Sequence, residues 1–199
     1  MTLTIVLTFI GLVLSVAGVP HEYRFDIEKG SKLYIEGTSN INSFKCKWKD
    51  VWDPQIARIN VSDDERSIWF TATVLKIKTE LLDCDNTKMN RDLCESLKSG
   101  TYPYIRIELH DATVVDGTFD DPNTFVQIVC NASITITNVT RRVTLKVKSK
   151  RLGPGRYSFL SSKELLMTNF GVDPPVAFMG LVKVRDRIRI NFEMTIAGS

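Results

Sequence analysis

The chain has 199 residues, 43% of them hydrophobic and 25% charged, with a formal net charge of +3. That length suits one domain with a full core, and the composition is that of a folded globular protein rather than a disordered one. The mildly basic balance, with no block of about five like charges, excludes a phosphate-reading nucleic-acid surface; it is compatible with transient contact at an anionic membrane surface.

Residues 1–20 carry no charged side chain. Apart from Thr4 and Thr8, positions 3–14 hold only Leu, Ile, Val, Phe and Gly, and Ser15, Ala17 and Gly18 supply the small residues a signal peptidase needs. Residues 1–18 therefore read as a cleaved signal peptide and 19–199 as an exported domain, periplasmic or secreted. No Lys or Arg precedes the apolar run, so an uncleaved membrane anchor is the alternative, although a spanning helix wants about 20 apolar residues. The four cysteines, Cys46, Cys84, Cys94 and Cys130, form no Cys-x-x-Cys pair and match no common zinc spacing. In an oxidising compartment they read as two disulfides, with three connectivities open.

From position 23 onward the apolar residues alternate with polar ones. Tyr23, Phe25 and Ile27 precede a turn at Gly30; Leu33 and Ile35 follow, then Phe44, Cys46 and Trp48. A short strand over 56–61 leads to Ile68, Phe70, Ala72 and Val74, after which the apolar phase slips at Leu75, predicting a bulge there. One helix is expected between Asn86 and Lys98, where Met89, Leu93 and Leu97 share a face. Beyond it Ile105, Ile107 and Leu109 alternate, as do Val126, Ile128, Cys130, Ala132, Ile134 and Ile136. A tight turn at Asn138 leads to Val143, Leu145 and Val147, and strands over 157–167 and 185–196 complete the set.

Alternation means one wet and one buried face, the signature of antiparallel rather than parallel sheet. About eight strands, several longer than the usual ~5–6 residues, favour a closed barrel with an apolar inner face. A β-sandwich would alternate in the same way and stays open at this point. In a barrel, strands of about eleven residues tilted ~40° would enclose a tunnel on the order of 28 Å deep.

Candidate chemistry is sparse. Of two histidines, His21 stands at the start of the exported domain and His110 shares the wet phase of Arg106 and Glu108. A Ser–His–Asp set through Asp111 lacks any Gly-x-Ser-x-Gly elbow. The Asp83-Cys84-Asp85-Asn86 stretch fails as a calcium loop, because Lys88 and Cys94 stand where Gly and Glu are needed. No catalytic residue, metal or cofactor is expected.

Four segments resemble the YceI-like family of lipocalin-like, polyisoprenoid-binding proteins. They are Leu33-Tyr34-Ile35-Glu36-Gly37-Thr38-Ser39-Asn40-Ile41-Asn42-Ser43-Phe44; Met89-Asn90-Arg91-Asp92-Leu93 with Leu97-Lys98 and Tyr102-Pro103-Tyr104-Ile105; Ile134-Thr135-Ile136-Thr137-Asn138-Val139-Thr140-Arg141-Arg142-Val143; and Met167-Thr168-Asn169-Phe170-Gly171-Val172. Asn138 stands where the family usually has Gly, a swap that the left-handed conformation tolerates. The resemblance implies an eight-stranded antiparallel barrel with a helix near one end, a lumen for a polyprenyl chain and a non-enzymatic role. By likeness to cysteines in some relatives it also implies Cys46–Cys84, which leaves Cys94–Cys130 as the second pair.

The inward-phase side chains expected to meet a ligand are Phe70, Ile105, Ile107, Val126, Ile128, Ala132, Val143, Leu145, Phe159, Ile190, Phe192 and Met194. The expected partner is a lipid-like apolar molecule. The alternative is a protein-interaction module whose barrel is filled by its own side chains.

Overall fold

The computed structural model describes residues 21–49, 52–121, 124–177 and 181–198. The segment read as a signal peptide lies outside the described residues. Period-two patterning produces strands where it was expected, and they join into one continuous antiparallel sheet. β1 (His21–Ile27) and β2 (Lys32–Ser39) lie end to end along one edge of β12 (Val182–Gly198), with Ile27 opposite Ile196 and Leu33 opposite Phe192. β3 (Ser43–Trp48) returns beside β2, and β4 (Gln55–Val61) beside β1. β5 (Ser67–Lys78) pairs with β4, and its continuation β6 (Leu82–Asp83) pairs with β3.

β7 (Tyr104–Asp116), β8 (Val126–Ile136), β9 (Val139–Gly153) and β10 (Arg156–Leu166) follow in chain order, and β10 pairs with β12. The sheet thus closes on itself as an up-and-down barrel of eight wall positions, two of them built from paired short strands. Closure removes the exposed edges that an open sheet would present, and it excludes two stacked sheets. The short β11 (Val176–Ala177) pairs with the start of β12 outside this ring.

Helix α1 (Thr87–Ser96) connects β6 to β7 across one end of the barrel. Asn86 caps it: its side-chain oxygen accepts from the Met89 amide at 3.0 Å, satisfying a donor the first turn leaves unpaired. The seam between β9 and β10 is incomplete. Their ladder runs only from Arg156↔Gly153 to Ser161↔Val147, while β10 pairs with β12 along its whole length. At and past the last rung, Ser161 Oγ and Lys163 Nζ donate to the carbonyls of Lys146 and Thr144, each at 3.0 Å. The 3-10 turn Met167–Phe170 packs against both strands there and buries Phe170.

Three expectations need correction. The phase slip in β5 falls before Leu75: the register shifts between Trp69 and Thr73, with Ala72 left-handed at φ 55°. Ala72 is therefore exposed, and Thr73, Leu75 and Ile77 carry the inward phase to the strand end. In the β8–β9 hairpin the left-handed residue is Thr137 (φ 54°), not Asn138. The Thr137 hydroxyl, donating to the Phe170 carbonyl at 3.1 Å, ties that strained turn to the 3-10 turn beneath. Cys46–Cys84 is a disulfide, but Cys94 and Cys130 are free thiols. A disulfide needs Cα atoms within about 7 Å; Cys94 rides on α1 at one end, whereas Cys130 points inward on β8 in the other half.

On the outer face a polar clasp holds β2 to β12. Tyr34 Oη donates to Glu193 at 2.8 Å, and Lys32 Nζ reaches the other carboxylate oxygen at 3.1 Å. The hydrogen bond to Glu193, followed by burial, pushes the Tyr34 phenol up to about 12. In return, Tyr34 and then Lys32 hold the Glu193 carboxyl below its usual range. Because the folded phenol titrates above its unfolded value of about 10, the stabilisation is complete below that pH and disappears as pH rises through the folded value. Ultraviolet titration is expected to show one tyrosine ionising near pH 12, and Glu193→Gln should return it towards 10. An ordinary midpoint in the unmodified protein would contradict the clasp.

Candidate ligand-binding site inside the barrel

Two apolar cavities occupy the barrel interior. The first, about 280 Å³, lies beneath α1. Met89, Leu93 and Leu97, the helix face read from the sequence, all line it, with Ile35, Ile105, Ile136, Phe170 and Ile190 among the opposing residues. The Cys46–Cys84 disulfide forms part of its wall and fastens the segment that leads into α1. Asn42, Lys88 and Asp92 stand among its few polar neighbours, and Lys88 and Asp92 pair along the helix at 3.7 Å.

The second cavity, about 270 Å³, fills the other half. Phe70, Leu75, Leu109, Ile128, Leu145 and Phe192 line it, and Phe119 reaches over from the 117–121 loop, stacked edge-on against Tyr157. Cys130 lines it too; burial first, then the Asp111 charge, pushes its thiol up to about 11, which leaves it unreactive.

No residue lines both cavities, and a waist separates them. Along β8, Cys130 lines the second and Ile136 the first, with the buried Ala132 and Ile134 between. Neighbouring inward residues on β7 (Ile105, Ile107) and on β12 (Ile190, Phe192) face different cavities, so the waist is one layer thick. Leu33, Ile77 and Val143 likewise line neither cavity and belong to the core beside this layer, with Val143 directly opposite Ala132. Ala132 is its smallest side chain.

The structure distributes the residues named from sequence as follows. Ile105 and Ile190 line the first cavity; Phe70, Ile107, Ile128, Leu145, Phe159, Phe192 and Met194 line the second. Ala132, in the waist, and Val143 opposite it line neither cavity, and Val126 is fully buried at the far end of β8, touching neither cavity. Sequence reasoning passed over much of the first cavity, notably Ile35, Ile136, Phe170 and Ile188. Phase could have found three of them, since Ile35 follows Leu33, Ile136 follows Ile134 and Ile188 precedes Ile190 by two.

Outside the barrel, His110 Nε2 lies 2.7 Å from Ser133 Oγ, but Asp111 accepts from Asn131 at 2.8 Å instead of orienting the histidine. Neither His110 nor Ser133 lines a cavity. The Asp83 carboxylate, read against calcium in the sequence, accepts from Asn90 Nδ2 and the Asp85 amide, and these bonds hold it below its usual range. Among the described residues no cluster of three or more His, Cys, Asp or Glu side chains could hold a metal ion.

A closed, single-chain antiparallel barrel with a greasy interior and a helix over one end defines a lipocalin-like protein. The YceI-like domain matches residues 55–196, and the chain belongs to that family. No curated protein matches it. Among solved structures it is similar to BcnA of Burkholderia cenocepacia, at 15% identity and TM-score 0.64 over 85% of this chain and 99% of that one. A polyisoprenoid-binding domain from Saccharophagus degradans aligns at 11% identity and TM-score 0.60, covering 89% and 98%. A Campylobacter jejuni YceI protein aligns at 16% and 0.53, covering 72% and 80%. At these identities the likeness establishes the fold.

Proposed function

We propose that the chain is a non-catalytic carrier of a long apolar molecule, a polyprenyl chain or a lipid of similar shape, acting in an exported, oxidising compartment. The observation that carries this reading is the pair of apolar cavities stacked along the barrel axis and separated by one layer of side chains. A compact ligand would fill one of them; an extended chain passing Ala132 fills both. The combined space lies in the range of about 300–1,000 Å³ usual for small-molecule sites. Each buried methylene contributes about 0.8 kcal/mol, less the cost of ordering a flexible chain. Membership of the family and the polyisoprenoid-binding neighbour support the ligand class. The Cys46–Cys84 disulfide supports the compartment.

The test is native mass spectrometry of the purified protein before and after organic extraction. The expected result is a co-purifying apolar species that extraction removes and that a polyprenyl probe replaces. A protein that arrives empty and takes up no probe would instead favour a solid-cored interaction module.

A further inference from the structure

The three most exposed large apolar side chains among the described residues are Leu181 (75%), Ile41 (67%) and Val176 (58%). They gather at one end of the barrel, around the mouth of the cavity beneath α1. Ile41 tips the β2–β3 turn, Val176 lies in β11, and Leu181 directly precedes β12. Asn40 locks these loops together: its Nδ2 donates to the Leu181 carbonyl at 2.9 Å, and its Oδ1 accepts from the Lys183 amide at 2.8 Å. Ile41 and Val182 also line the cavity, so apolar surface runs without a break from the interior onto the outer rim. Beside the rim, Lys183 and Arg185 project from the outer face of β12 and make no ion pair among the described residues. Their neighbours Arg187 and Arg189, by contrast, are both held by Glu164 at 2.8 Å.

We propose that this rim docks on the surface of an anionic phospholipid bilayer, with Ile41, Val176 and Leu181 entering the interface and Lys183 and Arg185 meeting lipid phosphates. Aliphatic loop tips flanked by cations are the chemistry of interfacial membrane contact. A protein interface would instead call for a broad face of about 800 Å² per partner, enriched in Tyr, Trp and Arg. The overall charge balance was compatible with such contact but singled out no residues for it. The structure places the unpaired cations where the cavity opens, so that a lipid tail leaving the bilayer meets apolar surface all the way inside. This rests on the carrier reading for its purpose, and the experiment lets the two fail separately.

Cosedimentation of the purified protein with vesicles of phosphatidylcholine, with and without phosphatidylglycerol, tests it. The protein is expected to bind more strongly when phosphatidylglycerol is present. Val176→Asp with Leu181→Asp should lower the bound fraction about tenfold, because interfacial binding scales with inserted apolar area. Lys183→Glu with Arg185→Glu should remove the preference for the anionic lipid. Val115→Asp, at the opposite end, should change nothing. None of these residues lines either interior cavity, so a polyprenyl probe supplied without vesicles should bind all variants alike. Equal vesicle binding by wild type and rim variants overturns the proposal, as does no vesicle binding at all. Loss of self-association in the rim variants would also overturn it, by assigning the patch to a second copy of the chain. Failure of the probe to bind the wild type would count against the carrier reading alone.

Discussion

Replacing Ala132 by tryptophan is expected to abolish uptake of a polyprenyl probe while leaving a folded barrel. Ala132 is fully buried in the waist, opposite Val143, and a bulky ring there can only project into one of the two adjoining cavities. A ligand confined to the other cavity loses the methylenes it would have buried beyond the waist. Four of them amount to about 3 kcal/mol, or roughly a hundredfold in Kd. Overpacking itself costs about 1–3 kcal/mol, within the stability of a domain of this size. Ile128→Trp provides a second test from a partly buried position on the far cavity, where the new ring has space to enter. Fluorescence titration and circular dichroism together decide the matter. Full probe affinity in both folded variants would show that the ligand does not run through the barrel.

The second large effect concerns the disulfide. Cys46→Ala with Cys84→Ala should destabilise the fold by about 4 kcal/mol, because the bond closes a loop of 38 residues in the unfolded chain. A thermal melt should then shift down by roughly 10 °C. The change is also expected to reach the ligand. No residue of α1 is fully buried, and the helix is held over its cavity chiefly by Met89, Leu93 and the segment that Cys84 anchors. Release of bound probe should therefore quicken, measured by transfer to excess acceptor vesicles. An unchanged melt and an unchanged release rate would mean the bond is dispensable.

Much of the wall could be read from alternation, because a barrel of this type has one rule at every position: odd in, even out, or the reverse. That rule located β8 and β9, and four-residue spacing located the apolar face of α1. It failed where the backbone changes phase for reasons no side chain announces. Ala72 takes a left-handed conformation without being Gly or Asn, so the bulge could not be placed from residue type. The joint between β1 and β2 looks like an ordinary turn, yet both strands share the edge of β12, a relation set by residues near the other end of the sequence. The free state of Cys94 and Cys130 was equally hidden, since cysteine parity carries no information about which half of the barrel each occupies. The cavities follow the same division. Membership of the inward face was legible; whether an inward residue lines a hollow or fills the waist depends on how neighbouring rows interdigitate.

The joining of β1 to the tail of β12 has a consequence for how the molecule comes into being. Beyond the β2–β12 ladder, the last stretch of the ring is sealed by Phe25, Asp26 and Ile27 meeting Ile196, Ala197 and Gly198. These partners lie almost a full chain length apart, so sealing costs the most loop entropy of any step and comes late. Until the ribosome has released position 198, this end of the wall keeps two bare margins beside its apolar inner face. Exposed apolar surface of that kind is what holdase chaperones bind, and trimming a few residues from that tail would leave this end of the seam unpaired.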